Sequence, residues 1–249
     1  MYLIGDIGNT DIKICLFNKN LKLLKKIRLK TILLNNNYLS KNLKFIKKYK
    51  LKIMKVLISS VVPLAYKNIK KFIEQSIKIK CTELKKLKLN KLLKIKVNKR
   101  QIGSDRLANA ISVIKKKRNF IIIDFGTATN FDVVISDNYI GGILAPGVSL
   151  SLNTLSDKAT LIPKIKLEKI TRVIGKNTTT AIRSGFYHGY SGLIDNIIKT
   201  IIKQTGKSFN IILTGGYSYL FKNTIKKKAI IKKDLTIYGV LKAAITLNR

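Results

Sequence analysis

The chain has no tryptophan, a single histidine, two cysteines, three prolines and only twelve acidic residues against fifty basic ones. Each shortage narrows what it can do. Cys15 and Cys81 lie far apart with no Cys-x-x-Cys spacing, which excludes a disulfide framework and a thiolate metal site and leaves two small buried hydrophobes. One histidine, His188, gives little material for a transition-metal centre. No Gly-x-Ser-x-Gly elbow is present, so a Ser-His-Asp hydrolase is not indicated. No apolar stretch approaches the roughly 18 residues of a spanning helix. Asp6 and Gly8 interrupt the apolar start, so no signal peptide is expected and the protein should be soluble and cytoplasmic.

The shortage of acids leaves a net charge of +38, which alone would suggest a nucleic-acid binder. The fifty basic residues are 43 Lys and 7 Arg, and Lys travels with abundant Ile and Asn. All three have A/T-rich codons, so drift in base composition produces such a surface without a polyanionic partner. The lysines are scattered in short runs such as Lys47-Lys48, Lys115-Lys116-Lys117 and Lys226-Lys227-Lys228. A solvated, self-repelling surface with loose RNA adhesion at low salt is expected. Neither a zinc-finger nor an RNA-recognition signature accompanies the charge, so no specific nucleic-acid partner is expected.

What the sequence does contain is one pattern written twice. Tyr2-Leu-Ile-Gly-Asp6-Ile-Gly8-Asn-Thr10 returns as Phe120-Ile-Ile-Ile-Asp124-Phe-Gly126-Thr-Ala128, 118 residues later, and the polar turn Asn18-Lys19-Asn20 falls on Ser136-Asp137-Asn138 at the same offset. Each copy reads as a strand, an Asp-x-Gly turn, a second strand and another hairpin. Glycine lets backbone N–H groups approach an oxyanion, and the carboxylate can hold an accompanying cation. Two such loops gripping one nucleotide would make a phosphotransferase cleft between duplicated halves, and 249 residues suffice for two lobes.

Apolar patterning predicts strands at 2–5, 11–17, 21–29 and 53–61, a helix over 40–50, and a helix from Pro63 to about Ile77. Short strands near 79–84 and 93–97 precede a helix opening at Ser104-Asp105, which has N-cap chemistry. The second half repeats the order with strands at 120–123, 130–135 and 139–144. A break at Pro146-Gly147 comes next, then a helix to about Leu155, a long helix from Thr178 to Lys203 carrying His188, a strand at 210–213, and a terminal helix near 238–246.

Three segments carry the chemistry. In the first loop Asp6 could orient a Mg²⁺-bound nucleotide, Asn9 and Thr10 could donate hydrogen bonds, and Lys13 could neutralise phosphate charge; a plain Gly/Asn hairpin turn is the alternative for this segment alone. Its second copy, Asp124-Phe-Gly-Thr-Ala-Thr129, weakens that alternative. In Gly103-Ser104-Asp105-Arg106 a carboxylate can accept the proton of an attacking hydroxyl beside a guanidinium able to bind a carboxylate or phosphate, or the Asp can simply cap a helix. The glycines of Gly141-Gly142, Pro146-Gly147 and Thr214-Gly215-Gly216 mark backbone that comes close to something, the last before a helix N-terminus suited to ribose or phosphate.

The repeated order of elements is similar to the actin and sugar-kinase superfamily. That resemblance implies an α/β fold of two duplicated actin-like (ribonuclease H-like) lobes, residues 1–116 and 117–249, each a mixed five-stranded sheet with helices, and an ATP cleft between them. The ordered set Asp6-x-Gly-Asn-Thr-x-x-Lys13, Gly103-Ser-Asp-Arg106, Asp124-Phe-Gly-Thr-Ala-Thr129, Gly141-Gly-x-x-x-Pro-Gly147, Ile174-Gly-Lys-Asn-Thr178, Ser184-Gly185 and Thr214-Gly-Gly216 resembles the type III pantothenate kinases over essentially the whole chain. The resemblance implies transfer of the ATP γ-phosphoryl group to the primary hydroxyl of pantothenate, the first step of coenzyme A synthesis, by a homodimer. It places Asp6, Ile7, Gly8, Asn9, Thr10, Asp11, Ile12, Lys13 and Thr127 on ATP, Asp105 as proton acceptor, Gly103, Ser104, Asp105, Arg106 and Thr178 at the pantothenate, and Asp124 on a monovalent cation, K⁺ or NH₄⁺. The chain departs from the family seven residues before Gly103, where a substrate-contacting Tyr is usual and Lys96 stands, followed by Val97-Asn98-Lys99; Asn130 stands where Thr is common.

Two further readings compete. The charge and Lys96 would fit a non-catalytic relative with a regulatory or nucleic-acid-associated role, against which stand the intact Asp6, Asp105, Arg106 and Asp124. A superfamily kinase for another small hydroxyl substrate is separated from the first reading only by Gly103–Arg106 and the chain-wide motif set.

Overall fold

The computed structural model describes residues 1–247, which divide into two compact units: residues 1–114, 137–139 and 234 onward, and residues 115–136 with 140–233.

The first unit opens with strands β1 (Tyr2–Ile7), β2 (Asp11–Phe17) and β3 (Leu23–Lys30), followed by two short helices, α1 (Asn36–Asn42) and α2 (Phe45–Lys48). Strand β4 (Lys55–Ser60), helix α3 (Pro63–Ile77), strand β5 (Cys81–Glu83), the two-residue β6 (Lys94–Ile95) and helix α4 (Ser104–Val113) complete its continuous part. The single helix expected over 40–50 is divided. Asn35 caps α1 early, its Oδ1 accepting from the Tyr38 N–H at 2.8 Å, and the chain leaves helical geometry at Leu43 before re-entering it at Phe45. Helix α3 begins on Pro63, whose missing N–H costs nothing at that position, and ends on left-handed Lys78.

The sheet order is β3-β2-β1-β4-β5, antiparallel across β1–β2–β3 and parallel across β1–β4–β5. Alternate residues reach opposite faces. One face, with Leu3, Ile7, Ile12, Ile14, Leu16, Val56 and Ile58, is buried against Ile69, Ile73 and Ile77 of α3 and Leu39, Leu43 and Ile46 of the short helices. The other face carries Ile4, Asp6, Lys13, Cys15, Phe17 and Ser59.

The second unit holds β7 (Asn119–Phe125), β8 (Ala128–Ile135), β9 (Asn138–Pro146), α5 (Val148–Lys158), α6 (Thr178–Thr205), β10 (Asn210–Gly215), the single turn α7 (Ser218–Phe221) and β11 (Ala229–Ile231). Its sheet has six strands, β11-β10-β7-β8-β9-β6, one more than the five expected; the first five follow the order of the first sheet read through the 118-residue repeat, with β10 parallel to β7 and β11 as β4 is to β1 and β5. The duplication visible in the sequence is thus a duplication of topology. Asn138 and Tyr139, at the start of β9, belong with the first unit and pair in parallel with Lys94 and Ile95 of β6. Helix α6 is fixed at both ends by a reciprocal Asn177–Thr180 capping box and by left-handed Gly206, and it buries Tyr187, Ile194, Ile198 and Ile201 against Ile121, Ile123, Phe131, Ile211 and Leu213.

The last helix, α8 (Leu235–Thr246), packs with the first unit, where it lies against α4, β1 and β4. A buried hydrogen bond from Thr236 Oγ1 to Asn109 Oδ1 (2.9 Å) joins α8 to α4. Gly239 permits the contact: a Cβ there would lie 1.8 Å from the Ala108 carbonyl oxygen. Among the described residues no helix is long and apolar enough to cross a membrane.

Candidate active site

The first Asp-x-Gly loop joins β1 to β2. Asp6 lies opposite Lys13 on β2 and Ser59 on β4, so the three share one face of the sheet. Ser59 Oγ is buried there without a hydrogen-bond partner. Ile7 and Ile12 are buried beneath the turn, while Asn9 and Thr10 stand exposed at its tip. Gly8 N–H donates to the Asp11 carbonyl (3.0 Å), and Thr31 binds the loop from outside, its Oγ1 donating to the Gly8 carbonyl (2.8 Å) and its N–H to that of Thr10 (3.0 Å).

The charged members of the loop have partners that sequence reasoning missed. Lys13 Nζ lies 3.3 Å from Asp234 Oδ1, whose other oxygen takes Lys26 at 2.5 Å; Asp234, left-handed at φ 55°, is the residue before α8. Asp11 binds Arg28 (2.6 Å) and Lys30 (3.0 Å) on β3. Burial would raise the Asp11 carboxyl, but hydrogen bonds from Arg28 and Lys30 outweigh it and hold the group below the ordinary value. A depressed carboxyl stabilises the fold above its unfolded pKa, and that contribution disappears as pH falls through the folded value. Asp11→Asn is therefore expected to cost about 0.5–1 kcal/mol at pH 7, the scale of an exposed ion pair, and nothing once the parent's carboxyl is protonated; thermal melts at the two pH values measure the difference.

The second loop joins β7 to β8 and is one residue shorter: Asp124 lies opposite Asn130 where the repeat would put it opposite Phe131. Asn130 therefore occupies the place that Lys13 holds beside Asp6. Its Oδ1 is buried without a hydrogen-bond partner, as is Thr129 Oγ1. Two glycines distant in sequence close on this loop. Gly147 carries no Cβ where one would meet the Thr127 carbonyl oxygen at 2.1 Å. Gly215, at φ 85°, sits where a Cβ would lie 2.5 Å from the Phe125 carbonyl and 2.7 Å from Asp124 Oδ1. Gly216 N–H donates to the Phe125 carbonyl (3.0 Å). Thr127 is exposed at the tip. The helix expected after Thr214-Gly-Gly216 is the four-residue α7, and Ser218 Oγ turns back to the Gly215 carbonyl (2.9 Å). On the same face as Asp124, further along β8, Asp132 is fully buried, an acid with no sequence signal.

Gly103-Ser104-Asp105-Arg106 opens α4, but the cap differs from the sequence expectation. Gly103 is the N-cap residue and Ser104, fully buried, gives its hydroxyl to Glu83 Oε1 (2.7 Å). Asp105 lies in the first helical turn, where the helix dipole favours a carboxylate, and its Oδ1 accepts from the Arg106 N–H (2.8 Å). That oxygen lies over Gly103, 2.3 Å from where a Cβ would be. Burial raises the Asp105 carboxyl; the Arg106 N–H, the Arg106 charge and Lys85 oppose the shift without cancelling it.

Lys96 is exposed just after β6, its N–H donating to the Tyr139 carbonyl (3.0 Å). Thr178 is the exposed first residue of α6, beside a cavity of about 250 Å³ lined by Arg172, Lys176 and Asn177 among others. His188 lies on α6 edge-on to Tyr187.

Two loops thus each pair a carboxylate with glycines in close backbone contact, and the chain can be compared with known proteins. The family model for type III pantothenate kinase matches residues 2–200. A type III pantothenate kinase of Pelagibacter ubique (strain HTCC1062) is 56% identical over 243 residues, covering 98% of each chain. Among solved structures, a Porphyromonas gingivalis protein described as an N-acetylglucosamine kinase superposes with a TM-score of 0.54 at 13% identity, covering 99% of both chains. The activator of 2-hydroxyisocaproyl-CoA dehydratase from Clostridium difficile, solved with ADPNP, gives 0.54 at 12% identity, covering 99% of this chain and 93% of that one. The fold is that of the actin-like ATPases and sugar kinases, and the chain belongs to the type III pantothenate kinase family of ATP-dependent kinases.

Proposed function

We propose that the protein transfers the γ-phosphoryl group of Mg²⁺-bound ATP to the primary hydroxyl of pantothenate, giving 4′-phosphopantothenate, as a cytoplasmic homodimer and the first enzyme of coenzyme A synthesis. The family match over nearly the entire chain carries this reading. Phosphoryl transfer depends on positioning and on neutralising charge. In this reading the Asp6–Lys13 loop and Thr127 hold ATP, with Lys13 set against phosphate charge. Gly103 to Arg106, with Thr178 and Lys96, receive pantothenate, whose carboxylate suits the Arg106 guanidinium. Asp105 accepts the hydroxyl proton, and its raised pKa brings it closer to the operating pH than an exposed carboxylate would be.

Asp124 is proposed to hold K⁺ or NH₄⁺. Asp124 and the unpartnered Asn130 Oδ1 are oxygen donors, the class that hard cations take. In this reading Mg²⁺ arrives on the nucleotide phosphates rather than in a cage of protein ligands. When bound, the monovalent ion would supply positive charge near the phosphates.

A coupled assay of ADP release, run with and without pantothenate and with K⁺ exchanged for Na⁺, tests the proposal. ADP release is expected to require pantothenate and to be supported by K⁺. Release that ignores pantothenate, with no phosphopantothenate formed, would refute it.

A further inference from the structure

The segment that leads into Asp105 is held by two residues outside every motif above. Ser104 Oγ donates to Glu83 Oε1 (2.7 Å), and the second carboxylate oxygen of Glu83 accepts from the Lys85 N–H (2.8 Å), so both oxygens are committed. The Lys85 side chain donates to two carbonyls just ahead of Gly103, that of Ile102 (2.8 Å) and that of Arg100 (3.2 Å). Three hydrogen bonds thus tie residues 100–104 to the end of β5. Since Ser104 is buried and the Asp105 carboxylate rests on Gly103, fixing these residues fixes the carboxylate.

We infer that Glu83 and Lys85 are positioning residues for Asp105, together holding the loop that aims its carboxylate. The inference rests on Asp105 being the proton acceptor. A tethered loop holds the base in one geometry, and displacement by about 1 Å costs on the order of 100-fold in rate. The charged groups around Asp105 are Arg106 on its own helix and, from the end of β5, Lys85 and Glu83, the last joined through Ser104. Burial raises the Asp105 carboxyl and Lys85 opposes it, so removing Lys85 moves the carboxyl further up. A base works only when deprotonated, so the direction of any shift in the acid limb is to higher pH.

The test is a set of pH profiles of kcat, with KM for both substrates, on the full chain and on Lys85→Met, Lys85→Arg, Ser104→Ala and Asp105→Asn. Lys85→Met is expected to lower kcat at neutral pH by roughly 10-fold or more and to move the acid limb upward, leaving KM for ATP within about twofold. Lys85→Arg, which keeps the charge and can reach both carbonyls, should recover the limb and most of the rate. A parental kcat in Lys85→Met, or a Lys85→Arg no better than Met, overturns the inference. If Lys85→Met does not fold, Ser104→Ala decides: a several-fold loss of kcat supports the tether and a parental kcat overturns it. A parental rate in Asp105→Asn would instead remove Asp105 as the base.

Discussion

Asp105→Asn is expected to lower kcat by roughly 10²–10⁴-fold, about 3–5 kcal/mol of transition-state stabilisation, because the amide cannot accept the hydroxyl proton. KM for ATP should hardly change, since the nucleotide loops are untouched. The same variant is expected to melt higher than the parent at neutral pH. Burial raises the Asp105 carboxyl above its unfolded value, so the ionised group costs folding energy once pH rises through the window between the two values. A neutral isostere escapes that cost, and the gain should shrink as pH falls and the parent's own carboxyl protonates. Steady-state kinetics at saturating substrate and melts across pH measure both effects. A variant retaining parental kcat, or one that gains stability only at acid pH, would contradict the assignment.

Gly239→Ala is expected to destabilise the first unit by about 3 kcal/mol or more, a large share of the 5–15 kcal/mol typical of a folded protein. The new Cβ would lie 1.8 Å from the Ala108 carbonyl oxygen and 2.5 Å from its carbon, which are backbone atoms that cannot rotate away. Relief requires α8 to back off α4, which would also stretch the buried Thr236–Asn109 hydrogen bond. Gly189→Ala is the comparison. Its Cβ would meet nothing within 4 Å, and alanine within a helix is favoured over glycine by about 0.5–1 kcal/mol. Urea unfolding midpoints should therefore move in opposite directions for the two variants.

What could be read from the sequence was local. The strands around Asp6 and Asp124, the start of α3 on Pro63 and the span of α6 were legible because their signals lie within a few residues of each other. The duplication was legible because register survives over 118 residues. Partnerships closed by tertiary folding were not. Ser104-Asp105 carries N-cap chemistry, yet the cap residue is Gly103, because the Ser104 hydroxyl is drawn to Glu83, 21 residues earlier. Lys13 and Lys26 meet Asp234 from more than 200 residues away, and nothing in the local pattern around Asp234 announces it. The expected helix over 40–50 failed for a related reason: Leu39, Leu43 and Ile46 are all buried, and the chain bends at Leu43 to seat them.

The one-residue shift in the pairing of β7 with β8 has made the two copies of the repeat unlike in charge. An ammonium neighbours the acid in one half; a carbonyl-bearing amide has taken that seat in the other. A one-residue shift of strand pairing thus gives two like hairpins a different neighbour for the same acid without changing either aspartate.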